Sequence, residues 1–222
     1  MSKLDLTADQ VLTTTRAVRK RLDFDRPVEM DVVRECLEIA LQAPSGSNAQ
    51  GWHFVVVTDE EKRRAIGDFY KQAFTLYRDM PVSAHALVEQ REGAERQQMD
   101  RVVSSAEYLA ENMGRAPVLL IPCVEGRVDS VTGPGASLSH ASVYGSVLPA
   151  FWSFMLAARE RGIGTSWTTL HLMFEQQVAE LLGIPYDTVT QAALSPVAYT
   201  IGTEFKLARR RSLDTVLHVD EF

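Results

Sequence analysis

Cysteine is scarce in this sequence, and this scarcity argues against both disulfide bonds and cysteine-bound metals. Only Cys36 and Cys123 occur among the 222 residues, and they do not form a CxxC pair. Neither a disulfide framework nor a cysteine-bound zinc ion is supported, and we expect both thiols to be buried. The five histidines are scattered without the spacing of metal ligands, so no metal is predicted.

Positive charge is also in deficit. The 23 lysines and arginines face 29 aspartates and glutamates, and the formal net charge is −6. This balance excludes broad electrostatic attraction to nucleic acid or to an anionic membrane surface. The amino terminus has no basic start followed by an apolar run, and a run of about 18 uncharged apolar residues is not found. We therefore expect a soluble, cytoplasmic protein without a nucleic-acid or membrane partner.

The common catalytic signatures are missing as well. The sequence contains no P-loop, HExxH or GxSxG motif. Residues 133–138, GPGASL, begin like a dinucleotide-binding fingerprint but fail at its last position. No acid, base or nucleophile is therefore singled out as a catalytic residue.

The sequence does have alternating helix and strand patterns. Helices are predicted at residues 31–41, 59–70, 140–161 and 174–182, and strands at residues 53–57, 118–124 and 192–201. No repeat or long linker divides the chain, so we interpret residues 1–222 as one α+β domain.

Three stretches need separate interpretation. Residues 71–115 carry many charges and are predicted to form a variable lid or insertion, and residues 127–139 a flexible loop. The helix at 140–161 is apolar on most sides, so its own domain or a second subunit must cover it. Aromatic residues in and beside the lid either contact a flat substrate or pack inside the fold; they are Phe69, Tyr70, Phe74, Tyr77 and Tyr108.

A dense polar turn, QAPSGSNAQGW at residues 42–52, separates the first predicted helix from the first strand. Its hydroxyl and amide side chains can donate to and accept from a ring that has both carbonyls and ring nitrogens. Gly46 would let backbone approach such a ligand closely. The alternative is an ordinary polar turn at the end of a helix.

Two basic clusters stand out in the acidic chain. Arg16, Arg19, Lys20 and Arg21 form one, and residues 209–211, all arginine, form the other. Each cluster alone is more often a solvated surface. A phosphomonoester, however, needs two or three guanidinium donors, and clusters far apart in sequence can converge on it in the fold.

Four motifs together resemble the nitroreductase family of flavoproteins. They are TRAVRKR at 15–21, APSGSNAQGWHFVVV at 43–57, YGSVLPAFWSFMLAARERGIGTSW at 144–167 and RRR at 209–211. They occur in the family's order, and the resemblance extends from about residue 12 to about residue 219. It implies an α+β fold with a central, mainly antiparallel sheet flanked by helices, and an intertwined homodimer that binds two FMN molecules at the subunit interface.

The resemblance also implies cofactor contacts for particular residues. Arg16, Ala17 and Arg19 match the phosphate and ribityl contacts, although Thr15 and Ala17 stand where the family often has arginine and serine. In the tail, Arg209 and Arg211 would add phosphate contacts, with Arg210 as the alternative register.

The polar turn and two later segments match the flavin ring site. Pro44, Ser45 and Gly46 correspond to the segment that approaches the flavin from the partner subunit, and Asn48 and Gln50 to positions that bond the ring or the ribityl chain. Pro149 would provide an apolar flank. At the ring edge, Trp167, Thr168 and Thr169 would present a backbone N–H near flavin N5.

The resemblance therefore implies an FMN-dependent oxidoreductase. It would transfer a hydride from NAD(P)H through flavin N5 to a small-molecule acceptor, such as a nitroaromatic or quinone, by ping-pong kinetics. Three alternatives stay open: a specialised flavin reaction such as reductive dehalogenation or enone reduction, a flavin store or redox sensor without turnover, and an interaction module whose arginines bind a protein. The choices between NADH and NADPH, and between FMN and a deazaflavin, also stay open.

Overall fold

The computed structural model describes residues 3–222 and contains helices on both faces of one sheet. The helices are α1 (Ala8–Thr14), α2 (Met30–Ala40), α3 (Glu60–Arg78), α4 (Ala84–Glu89), α5 (Gly93–Asn112), α6 (Ala136–Glu160) and α7 (Glu175–Leu182). The strands are β1 (Trp52–Val57), β2 (Val118–Glu125), β3 (Ile163–Thr165), β4 (Val189–Gln191) and β5 (Ser195–Tyr199).

The sheet is antiparallel between all its named strands. Its order is β1-β2-β5-β3, and β4 pairs with the end of β2. This arrangement confirms the predicted α+β class with a central, mainly antiparallel sheet flanked by helices.

Two predicted helices need new boundaries, and one further helix was not predicted. The helix predicted at 59–70 continues to Arg78, because Tyr70, Ala73 and Phe74 extend its buried face beyond Ile66. The helix predicted at 140–161 begins earlier, so the end of the predicted loop at 127–139 is helical. Helix α1 was not predicted, although its Thr-x-x-Gln capping box is legible in the sequence.

Of the strand predicted at 192–201, only residues 195–199 form a strand, which is β5; a bulge separates it from β4, which ends at Gln191, just before the predicted range. Gln191 pairs with Cys123 and Ser195 with Leu120, so three residues of this strand oppose two of β2. One of those two is Pro122, which has no N–H to donate to the ladder. The bulge frees Leu194, whose N–H and C=O both bond to Thr168 instead, at 2.8 and 3.0 Å.

Strand β2 is buried on both faces and separates two parts of the core. Leu119 and Ile121 belong to the cluster with α3, α5 and α7, whereas Val118 and Leu120 belong to the cluster with α2 and α6. Side chains alternate between faces along a strand, so one apolar run serves both layers. Both cysteines are buried as expected, and Cys123 lies in the first cluster.

The segment predicted as a lid, residues 71–115, is largely helical and partly buried. It contains the end of α3, all of α4 and α5, and a short 3-10 turn. Leu109 and Ala110 are buried in the core. Of the lid aromatics, Tyr70 and Phe74 are only 4% and 8% exposed, which favours the packing alternative for these two.

Helix α6 bears on the expectation that the chain has no long apolar run. By length and composition it could cross a membrane, with a mean hydropathy of 1.3 in its most apolar window, of which only 39% is buried. Phe151, Phe154 and Met155 pack it against the sheet and α2, as in the central helix of a globular domain. Val147 and Ala150 are also buried, against Trp52 and Val124, whereas Leu138 near the start of the helix is 77% exposed.

Candidate functional site

The polar turn after α2 has a strained backbone. Ser47, Asn48 and Gln50 adopt φ values of 52°, 53° and 50°, in the left-handed region. Non-glycine residues rarely enter this region, and strained backbone conformations concentrate at functional sites. All three residues are exposed, so packing of their side chains does not explain the conformation.

Hydrogen bonds organise this turn internally and attach it to α6. The Gln50 amide donates to the Asn48 Oδ1 at 3.1 Å, and the Gln50 N–H donates to the Ser45 Oγ at 3.2 Å. The Gly46 N–H donates to the Ser146 Oγ at 3.0 Å. The close approach made possible by Gly46 is therefore an approach to α6, and Pro44 beside it is exposed.

The amino-terminal cluster lies along the edge of the sheet. Ala17 forms a parallel bridge with Thr165 of β3, and the Val18 N–H donates to the Thr165 carbonyl at 2.8 Å. This bridge places Arg16 and Arg19 next to the chain that continues into residues 167–169. Two groups of predicted cofactor residues, separated by about 150 positions in sequence, are thus brought together.

Residues 167–169 leave two backbone donors free. Thr168 is bonded in both directions to Leu194 through its backbone. Within residues 3–222, the N–H groups of Trp167 and Thr169 have no protein acceptor. In this segment, Trp167 and Thr169 are therefore the two positions of the described chain whose N–H groups remain available to a ligand.

Arg19 is connected to the same segment through a buried tyrosine. Its guanidinium donates to the Ser105 Oγ at 3.1 Å, and burial lowers its pKa. Burial raises the pKa of Tyr70 to about 12, while the neighbouring Arg19 charge and a hydrogen bond with Thr168 act in the opposite direction. Tyr70 therefore stays protonated at neutral pH between Arg19 and Thr168.

Three arginines hold the chain after β5, which the sequence did not predict. Arg16, Arg21 and Arg159 donate to five of the six carbonyl groups of residues 201–206 and surround the Phe205 ring. Arg21 makes three of these bonds, at 2.6 to 2.9 Å, and Arg159 makes one at 3.0 Å. Arg16, which the family resemblance predicts to bind phosphate, therefore also donates a hydrogen bond to the Lys206 carbonyl.

The crowding of these guanidiniums leaves some donors unused. Burial lowers the pKa of Arg159, and the charges of Arg21 and Arg16 lower it further against the attraction of Glu204. Within the described chain, Arg16 Nε and Arg159 Nη1 are buried without a hydrogen-bond partner. Buried donors of a charged group normally have acceptors, so this corner favours an additional anion.

The tail arginines lie against α5. Arg209, Arg210 and Arg211 line a cleft together with Arg91, Glu95, Gln98 and Met99. The amino-terminal cluster reaches the same helix farther along, where Lys20 donates to the Ser104 Oγ at 2.8 Å beside the Arg19–Ser105 contact. The two basic clusters thus meet on one helix, but at different positions.

Helix α6 separates the polar turn from the other predicted residues. The turn bonds to Ser146, whereas the Trp167 ring packs edge-on against Phe151 at 4.9 Å. Five residues along an α-helix correspond to a rotation of about 140°. The turn and Trp167 therefore lie on different sides of α6, and Pro149 lies between these two contacts.

The family comparison identifies the class of protein. The nitroreductase family matches residues 12–199, and the chain belongs to this family.

Individual relatives have more distant similarity. The chain is 29% identical over 196 residues to the 4-nitrobenzoate reductase of Nocardioides sp. (strain LMS-CY), covering 80% of this chain and 74% of that protein. It is 28% identical over 161 residues to the 5,6-dimethylbenzimidazole synthase of Rhodospirillum rubrum, covering 72% and 68%. Among solved structures, the FMN and NADPH-dependent nitroreductase from Sphigopyxis sp. strain HMH has a TM-score of 0.65 at 20% identity. The match covers 98% of this chain and 100% of that chain. At this identity the similarity supports the fold alone.

Proposed function

We propose that this protein is an FMN-dependent oxidoreductase that transfers a hydride from NAD(P)H through flavin N5 to a flat, small-molecule acceptor such as a nitroaromatic or quinone. The observation that carries the proposal is the polar turn, in which Ser47, Asn48 and Gln50 hold exposed side chains on a strained backbone. Membership of the nitroreductase family supports the same chemistry.

The residues of the chain fit an FMN molecule. Arg16, Ala17 and Arg19 would hold its phosphate and ribityl chain, and the buried Nε of Arg16 has no acceptor among residues 3–222. A free N–H of Trp167 or Thr169 would face the ring edge and stabilise negative charge there. When bound, FMN supplies the acceptor of the hydride and the donor of electrons to the second substrate. The protein groups orient the ring.

The binding site requires a second subunit. Because α6 separates the polar turn from Trp167, the turn would complete the site of a partner in a homodimer. An apolar groove of about 700 Å³ between α1, the end of α2 and α6 provides the surface for such a contact. A dimer would also cover the part of α6 that its own chain leaves open.

A specialised flavin reaction is the second candidate. It is supported by the similarity to a 5,6-dimethylbenzimidazole synthase, which matches this chain at almost the same identity as a nitrobenzoate reductase. Helices α4 and α5 belong to the segment predicted as a variable lid, and their side chains would determine which substrate binds. A soluble, cytoplasmic location is part of the proposal for either reaction.

The test is an anaerobic reduction experiment on the purified protein. Its visible spectrum should show flavin bands that bleach on addition of NADPH or NADH and return on addition of a nitroaromatic or quinone. Bands that bleach but are not restored by these acceptors would favour the specialised reaction. Bands that persist with both nucleotides would indicate a flavin store, and the absence of flavin binding even with added FMN would reject the proposal.

A further inference from the structure

Residues 201–206 form a connecting segment between β5 and the arginines of the tail, and they belong to no helix or strand. Arg21 holds this segment. Its Nε donates to the Ile201 carbonyl at 2.9 Å, its Nη2 to the Gly202 carbonyl at 2.6 Å and its Nη1 to the Glu204 carbonyl at 2.8 Å. All three guanidinium nitrogens are thus bonded to one stretch of backbone.

The backbone of the connecting segment is shaped to admit this guanidinium. Gly202 has a φ of 71°, and a Cβ atom at this position would lie only 2.9 Å from the Arg21 Nη2. Glycine permits both the left-handed conformation and the close approach. The Ile201 N–H also donates to the Arg21 carbonyl at 2.8 Å. Arg21 is therefore bonded to the segment through its backbone as well as its side chain.

The Phe205 ring provides a second point of attachment. The guanidinium carbons of Arg21 and Arg159 lie 4.2 and 4.9 Å from its centroid, within the range of a cation–π interaction. Arg159, at the end of α6, also donates to the Thr203 carbonyl at 3.0 Å. The connecting segment is thus held by two arginines that come from different parts of the chain.

The position of this segment limits where the tail arginines can lie. Arg209 follows Lys206 by three residues, which span at most about 11 Å when fully extended. The tail arginines line the cleft beside α5, and the family resemblance assigns Arg209 and Arg211 to the flavin phosphate. The placement of these two phosphate contacts therefore depends on how firmly residues 201–206 are held.

We propose that Arg21 is a positioning residue for the flavin phosphate. It holds the connecting segment without contacting the cofactor, and in this way presents Arg209 and Arg211 to the phosphate. The proposal rests on the function proposed above, because it requires FMN as the ligand. Groups that are already ordered lose less conformational freedom on binding, so loss of the Arg21 contacts should weaken the phosphate contacts made by the tail.

The test compares FMN with riboflavin, which has the same ring and ribityl chain but no phosphate. Fluorescence titration of the apoprotein measures the dissociation constant of each. Arg21→Ala should weaken FMN binding by at least about tenfold and change riboflavin binding by less than about twofold. Phe205→Leu, which changes no charge, should show the same selective loss. Arg34→Ala removes an exposed arginine of α2 and should affect neither flavin.

A conservative variant separates positioning from simple charge. Arg21→Lys keeps the positive charge, but one ammonium group cannot reproduce the fork of donors that reaches three carbonyls. Arg21→Lys should therefore weaken FMN binding nearly as much as Arg21→Ala. Recovery of the wild-type affinity in Arg21→Lys would show that only the charge matters and would overturn the assignment. Equal weakening of both flavins in Phe205→Leu would also overturn it, because the segment would then support the fold in general.

The two proposals fail in different ways. If the wild type binds neither FMN nor riboflavin, the proposed oxidoreductase function is wrong. If the wild type binds FMN, and NADPH or NADH bleaches it, the oxidoreductase function stands. An FMN-to-riboflavin affinity ratio in Arg21→Ala equal to that of the wild type would then reject the assignment of Arg21 alone.

Discussion

A Cβ atom on Gly46 would lie 2.6 Å from the Oγ of Ser142, which is closer than two such atoms can approach. A side chain at position 46 would therefore force the Ser142 hydroxyl to turn away from the polar turn. We expect Gly46→Ala to lower the free energy of unfolding by about 1 kcal/mol through overpacking, and to weaken flavin retention.

A compensating substitution makes this prediction specific. Ser142→Ala removes the Oγ and leaves the Ser142 Cβ at an ordinary 3.9 Å from the added methyl group. The double variant should therefore recover most of the stability in urea denaturation. No recovery would show that Gly46 is needed for another reason, such as direct approach of the ligand.

Arg19 gives a test of the phosphate site. Its guanidinium is partly buried beside Tyr70 and Ser105. Arg19→Ala should weaken FMN binding by about 10- to 100-fold, because one charge-assisted contact is lost. Fluorescence titration of the apoprotein with FMN measures this, with Arg96→Ala as the exposed control; retention equal to that of the control would place the phosphate elsewhere.

The homodimer can be tested at α1. Leu12 is 55% exposed and lines the apolar groove between α1 and α6. Leu12→Arg should shift the protein to monomers and reduce bound flavin, because an unpaired charge would be buried in the interface. Sedimentation velocity provides the measurement, and Leu76→Arg, at a 53% exposed position outside the groove, should remain dimeric.

The ion pair between Arg127 and Glu175 should contribute strongly to stability. Both side chains are largely buried, at 11% and 13% exposed, and two hydrogen bonds of 2.9 and 3.0 Å connect them. Arg127→Ala should lower the free energy of unfolding by about 3 kcal/mol, since it leaves a buried carboxylate unpaired. The exposed pair of Arg64 and Glu60 is the contrast, and Arg64→Ala should cost less than about 1 kcal/mol in the same denaturation experiment.

His171 should make the protein sensitive to acid. Burial lowers its pKa from 6.5 to about 3, and neither ring nitrogen has a partner in the described residues. The unfolded chain therefore binds a proton that the folded chain does not. The stability contribution is complete above pH 6.5 and is lost as the pH falls toward 3, reaching about 2 kcal/mol of destabilisation at pH 5.

Denaturation curves at pH 7 and pH 5 check this effect. His171→Leu should reduce the difference between the two pH values, whereas substitution of the exposed His218 by Asn should not. An unchanged difference in His171→Leu would assign the acid sensitivity to other groups.

The amino-acid sequence was sufficient to predict several helices and to indicate the family. The apolar spacing at residues 31–41 predicted α2 to within one residue at each end. Gly183, which ends α7, has the left-handed conformation that glycine favours, with φ at 71°. The four ordered motifs were sufficient to indicate the family. For α2 the relevant interactions lie within a few residues, and for Gly183 the signal is a residue type that favours the left-handed conformation.

The tertiary structure decided what depends on distant partners. The break between β4 and β5 arises opposite Pro122, on another strand, and cannot be seen in the apolar run itself. Arg16 and Arg21 are engaged with the chain after β5, which is about 180 to 190 positions away. Because a guanidinium can bond equally well to a phosphate or to a backbone carbonyl, the sequence determined that donors were present, and only the path of the chain decided which acceptors they meet.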